Sequence, residues 1–123
     1  MEVDFLPLNA ADAISLPLPG GRCAVAIDPS RIGSDAEARY KLAHELGHCA
    51  TGSFYNRYAA LDLRQKHENR ADRWAVRHLV PRRELERALC AGRTEVWELA
   101  EYFGVPEMCI RKAFELYERE SMR

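Results

Sequence analysis

A chain of 123 residues, 47% hydrophobic and 30% charged, can hold one modest globular core and is too short for two. Its net charge of −1 excludes, for the chain as a whole, the basic field that attracts nucleic acid or an acidic membrane surface. No apolar run approaches the ~18 residues of a membrane span, and the opening M-E-V-D-F-L-P-L is acidic and broken by proline, unlike a basic, apolar leader, so the expected compartment is the cytoplasm.

Residues 1–12 carry little pattern. Ile14, Leu16 and Leu18 then alternate with other residues, and Cys23, Val25 and Ile27 alternate again after a P-L-P-G-G punctuation. Two short alternating runs around a Pro/Gly turn predict a hairpin or two neighbouring strands, within a strand region over residues 1–30. Such strands can cover helices, or offer an exposed edge to an extended peptide by strand addition. The cysteines (Cys23, Cys49, Cys90, Cys109) form no C-x-x-C pair, and all four are expected to be small buried or half-buried thiols.

Residues 35–51 are predicted to be helical, with Ser34 or Asp35 as cap and Asp35 and Glu37 in the first turn. This helix contains K-L-A-H-E-L-G-H-C-A. His44 and His48, four apart, fall on one face, and Glu45 lies beside that face. The H-E-x-x-H spacing suits a zinc hydrolase: two neutral nitrogen ligands, with a carboxylate able to take a proton from water. Chance also produces this spacing, so the rest of the chain has to supply a third ligand. Gly47 costs roughly 1 kcal/mol against alanine in a helix, which is reasonable if another backbone approaches closely there. Gly52 ends the helix.

A connection containing Phe54, Tyr55 and Tyr58 leads to a second helix, expected over residues 67–80, with Ala71, Trp74, Ala75 and Leu79 inward and a break at Val80-Pro81. Glu68 is placed as the third ligand, within reach if the two helices fold back on each other. Asp72, one turn on, can accept the N–H of a ligating imidazole. The competing reading pairs Glu68 and Asp72 with Arg64, Arg73 or Arg77 on the helix surface. His67 and His78 are rival ligands, but His67 is about 100° around the helix from Glu68 and His78 is nearly three turns away. Arg70, Arg73 and Arg77 form a stripe expected to face solvent.

Residues 82–121 are predicted to be a helical tail: a short helix through Cys90, another capped by Thr94 and ending at Phe103-Gly104, and a last one opened by Pro106. Two helices joined by F-G-V-P-E suggest a helix-turn-helix. The last helix carries Glu107, Glu115, Glu118 and Glu120 against Arg111, Lys112 and Arg119, which favours packing over DNA reading.

The segment H-E-L-G-H, the later E-N-R-A-D-R-W-A and the L-V-P that follows resemble the ImmA/IrrE family of small metallopeptidases, a gluzincin-like branch of the zincins. The resemblance runs from about Val25 through Pro81, with L-A-E-Y-F-G-V-P-E similar to the family's helical tail. It implies Zn²⁺ held by His44, His48 and Glu68, with Glu45 as general base and then general acid and Asp72 supporting a ligand. It also implies a protein substrate, namely a transcriptional repressor of a mobile element or prophage. The expected fold is α+β, a mainly helical zincin-like domain with a small N-terminal sheet. A further donor to the reaction's oxyanion is expected, with Tyr55, Tyr58, His67 and His78 as candidates. Two other classes remain open: a non-catalytic protein-binding module in which zinc holds two helices together, and a DNA-binding regulator using residues 94–121.

Overall fold

The computed structural model describes residues 2–8, 11–54 and 60–122. Strands Glu2–Phe5 (β1), Ala13–Pro17 (β2) and Cys23–Ile27 (β3) precede helices Asp35–Thr51 (α1), Leu61–Leu79 (α2), Arg82–Cys90 (α3), Val96–Phe103 (α4) and Glu107–Ser121 (α5). The architecture is α+β and mainly helical, as the sequence led us to expect.

The sheet order is β1-β3-β2. The expected hairpin is β2 and β3, antiparallel from Ala13↔Ile27 to Pro17↔Cys23. β3 alternates buried Cys23, Val25 and Ile27 with half-buried Ala24 and Ala26, so one face of the central strand meets the helices. β1 was not legible: its four exposed residues are too few to show a period, and it forms by pairing in parallel with β3. β2 is left as an edge beside α1.

Ser34 Oγ caps α1 by accepting from Glu37 N at 3.2 Å, and Gly52, in the left-handed region at φ 64°, closes it. α2 begins at Leu61, earlier than the expected residue 67. Its first turn buries almost nothing (Leu61 is 80% exposed), so no apolar period marks it. The buried face of α2 is Ala71, Ala75 and Val76; Trp74, expected inside, is half-buried and stacks on His78. The cap of α4 is Glu95 rather than Thr94, in a reciprocal capping box with Glu98. Pro106 occupies the cap position of α5, one residue before the helix proper.

The inner faces of α1 to α5 form the main core, to which α1 adds Tyr40 and Ala43 and where Val76, Val80, Leu99 and Ile110 are almost fully buried. The Tyr117 hydroxyl donates to the carbonyl of Val80 at 2.6 Å, satisfying the backbone where proline breaks α2 from α3. Arg39 of α1 donates to the carbonyl of Phe103 at the end of α4. The packing face expected for the last two helices is present: Leu99 and Ala100 of α4 and Cys109, Ile110, Ala113 and Tyr117 of α5 are buried.

Two further contacts help to fix α1 in place. The first is Gly47: a Cβ there would lie 2.7 Å from the carbonyl oxygen of Ala71 and 3.1 Å from its Cα, so α1 and α2 touch backbone to backbone, as its helix-breaking cost suggested. The second corrects the cysteine expectation. Cys23 and Cys49 form a disulfide with Cα atoms 5.9 Å apart, tying the central strand to the last turn of α1. The two lie 26 residues apart in different elements, and only the packing of β3 on α1 pairs them. Cys90 is exposed, which leaves Cys109 as the buried thiol, pushed up to about 12 by burial. Among the described residues no helix is long and apolar enough to cross a membrane.

Candidate metal centre

Because α1 and α2 approach at Gly47, side chains flanking that contact are forced together. His44 and His48 present their rings on one face of α1, centroids 4.9 Å apart and nearly perpendicular. From α2, Glu68 places Oε2 2.8 Å from His44 Nε2 and Oε1 3.3 Å from His48 Nε2. One ligand atom from each of the three lies within 4.8 Å of the others. A tetrahedral zinc with N and O ligands near 2.0–2.2 Å holds them about 3.3 Å apart, so this spacing suits one ion.

The outer nitrogens are engaged as well. His44 Nδ1 lies 2.7 Å from Asp72 Oδ1, and His48 Nδ1 lies 2.6 Å from the carbonyl oxygen of Ser53, a residue with no exposure. Each imidazole can therefore donate Nδ1–H outward and turn its Nε2 lone pair toward Glu68. For His44 both nitrogens then face carboxylate oxygens. A neutral ring has one N–H, so its Nε2 lone pair would oppose that of Glu68 unless a cation sat between them. Proton and metal are the two candidates, and the donor set fits a metal. The same geometry governs charge. Burial alone would lower the His44 pKa, but the hydrogen bond and charge of Asp72, with Glu68 and Glu45, outweigh it and raise it. Burial would likewise raise Asp72, and hydrogen bonds from His44, Lys112 and Tyr40 instead hold it well below the usual carboxylate range.

Among the described residues, Asp72 has other partners than the surface arginines of the competing reading. Asp72 pairs with His44 and, through Oδ2, with Lys112 Nζ at 2.8 Å, while Arg77 pairs with Glu120. Arg70, Arg73 and Arg77 face solvent as expected.

A cleft of about 470 Å³ opens beside the cluster, lined by Ala13, Ile14 and Ser15 of β2, Glu45 and His48 of α1, Phe54, and Arg64 and Glu68 of α2. Glu45 thus shares the cleft with two of the candidate ligands. The oxyanion candidates fare differently. Tyr55 and Tyr58 lie outside the described residues. His67 is half-buried and does not line the cleft. His78 donates from Nδ1 to the carbonyl of Trp74 at 2.8 Å, its ring stacked on that indole at 3.8 Å between centroids. Sequence reasoning missed Ser53, Tyr40 and Lys112 as partners of the site, and Arg64 on the cleft. Arg64 stands one helical turn before Glu68 and was legible from spacing once α2 is extended to Leu61. Tyr40 likewise stands one turn before His44, whereas nothing in the sequence marks Ser53 or Lys112.

The profile of the family described as the IrrE N-terminal-like domain, Peptidase_M78, matches residues 25–115. The chain belongs to that family. In this IrrE-like chain the match begins within β3 and ends within α5, so α1, α2 and every residue of the His44–Glu68–Asp72–Lys112 cluster fall inside it. Membership supports a metallopeptidase-like role, and the His/His/Glu cluster is compatible with the metal dependence usual in that family. No curated protein and no solved structure matches the chain.

Proposed function

We propose that the protein is a zinc-dependent endopeptidase that cuts a partner protein in the cytoplasm, and that this partner is a transcriptional repressor encoded on a mobile element or prophage. The observation that carries the reading is the convergence of three ligand atoms from His44, His48 and Glu68 beside a cleft that also holds Glu45. Three protein ligands leave a position for water, whereas a purely structural zinc site closes with four. Bound there, zinc would supply a Lewis acid that acidifies water and polarises a carbonyl.

The chain's own residues would do the rest. Glu45 takes the proton of the attacking water and delivers it to the departing amine. Asp72 and Ser53 hold the two imidazoles in the tautomer that exposes Nε2. Arg64 provides positive charge within the cleft, for the carbonyl oxygen or for a carboxylate of the substrate. β2 is an edge strand whose residues Ala13 to Ser15 line the same cleft, so an extended segment of the substrate can add to the sheet there. The acidic residues of α5 favour a protein partner over nucleic acid.

Glu45→Gln tests the reading. The variant keeps size and packing, so zinc content and fold should persist while cleavage of the partner falls at least ~10²-fold. It should hold its substrate instead of cutting it. Relief of repression by the variant equal to that of the parent would replace the enzyme with a zinc-stapled binding module.

A further inference from the structure

The side chains behind the cluster extend it to a part of the chain far from the motif. Asp72 Oδ1 receives two donors, His44 Nδ1 at 2.7 Å and the Tyr40 hydroxyl at 2.6 Å. Its Oδ2 receives Lys112 Nζ at 2.8 Å, and the same ammonium donates to the Tyr40 oxygen at 3.2 Å. Tyr40 lies one turn before His44 on α1, Asp72 on α2 and Lys112 on α5. The carboxylate, carried by α2, is thus gripped from two other helices, with its side chain 24% exposed. A tyrosine at this spot is not a proton source: burial and then the Asp72 hydrogen bond push its pKa far above the usual range.

We infer that Lys112 and Tyr40 are positioning residues of the metal centre, aiming Asp72 at His44 Nδ1, so that α5 is a working part of the site. The inference rests on the proposed metal site and deepens it. A carboxylate can turn about its last bond. With Oδ2 bare, Asp72 gains by rotating that oxygen toward water, which takes Oδ1 off His44 and frees the imidazole to turn. The charge of Lys112 itself acts in the opposite sense, since a cation near the site opposes a second cation. That side chain is 37% exposed, so solvent screens its charge and the orienting effect dominates.

The experiment measures the zinc dissociation constant by competition with a chelator, well below the melting temperature of each protein. The proteins are the parent, Lys112→Met, Lys112→Arg, Tyr40→Phe, Asp72→Ala and the double variant Lys112→Met with Asp72→Ala. Loss of a group that orients a ligand weakens zinc by ~10–100-fold. Asp72→Ala should fall in that range, and Lys112→Met and Tyr40→Phe should lose roughly 3–10-fold, with Lys112→Arg recovering most of the loss. The decisive comparison is the double variant, which should bind zinc no more weakly than Asp72→Ala alone, because Lys112 supports zinc binding only through that carboxylate. A structural role would add its own loss in the Asp72→Ala background and overturn the inference. So would Lys112→Met binding zinc as tightly as the parent or more tightly. A parent chain that binds no zinc would overturn the metal reading itself, and this inference with it. His44→Ala, which should abolish binding, separates that case from a failure confined to Lys112.

Discussion

Replacing Gly47 with alanine asks whether the close approach of α1 and α2 sets the geometry of the site. The added Cβ would meet the carbonyl oxygen of Ala71 at 2.7 Å, where ordinary contact begins at 3.4 Å, so α2 has to withdraw by about 0.7 Å. The obstacle is backbone and cannot rotate away. Helix propensity alone favours alanine by about 1 kcal/mol, while overpacking at such a contact costs about 1–3 kcal/mol. With backbone atoms on both sides the upper end applies, leaving a net loss near 2 kcal/mol and a melting temperature lower by roughly 6–10 °C. Metal binding should suffer further. Gly47 adjoins His48 and Ala71 adjoins Asp72, and metal–ligand distances tolerate only about ±0.2 Å. Zinc affinity should fall at least ~10-fold. The assays are thermal unfolding of the metal-free protein and zinc competition against a chelator. A variant that melts higher than the parent and binds zinc equally well would refute the reasoning, since propensity alone would then govern this position.

Two predictions concern the N-terminal half. Cross-linking residues 26 apart restricts the unfolded chain enough to stabilise the fold by about 3.5 kcal/mol, so Cys23→Ser with Cys49→Ser, or reduction, should lower the melting temperature by roughly 10–15 °C. Disulfides are rare in a reducing cytosol, so the reduced form should still fold and bind zinc if the protein works there; a reduced chain that is unfolded at 37 °C would contradict the cytoplasmic proposal. Asp28, buried at the end of β3, accepts hydrogen bonds from Leu8 N, Ser30 Oγ and Ser30 N, which lower its pKa, the first contributing most. Its contribution is complete above the unfolded value near 3.9 and disappears as pH falls through the lower folded value, so Asp28→Asn should reduce stability at pH 7 and flatten the acid limb of the pH–stability curve below about 4. An unchanged acid limb would remove Asp28 from that role.

Local rules in the sequence determined a good deal of this protein. The four-residue spacing of His44 and His48 fixes their common face on any α-helix, and Glu68 with Asp72 repeats that spacing on the next one. The caps at Ser34, Gly52 and Gly104 and the break at Val80-Pro81 follow from backbone preferences that need no partner. The hairpin of β2 and β3 was legible because alternation survives on a strand with one buried face. Interactions between distant segments left no such trace. β1 exists because β3 offers it an edge, and the first turns of α2 bury too little to produce a period. Cys23 meets Cys49, and Lys112 meets Asp72, only once packing has chosen which faces touch. A lysine on an amphipathic helix is compatible with solvent, a surface ion pair or a buried carboxylate, and its own sequence neighbours do not distinguish these. The tertiary structure decided it, because the close backbone contact at Gly47, which leaves no room for a Cβ, sets α2 on α1, and the packing of α5 on α2 brings Lys112 to Asp72.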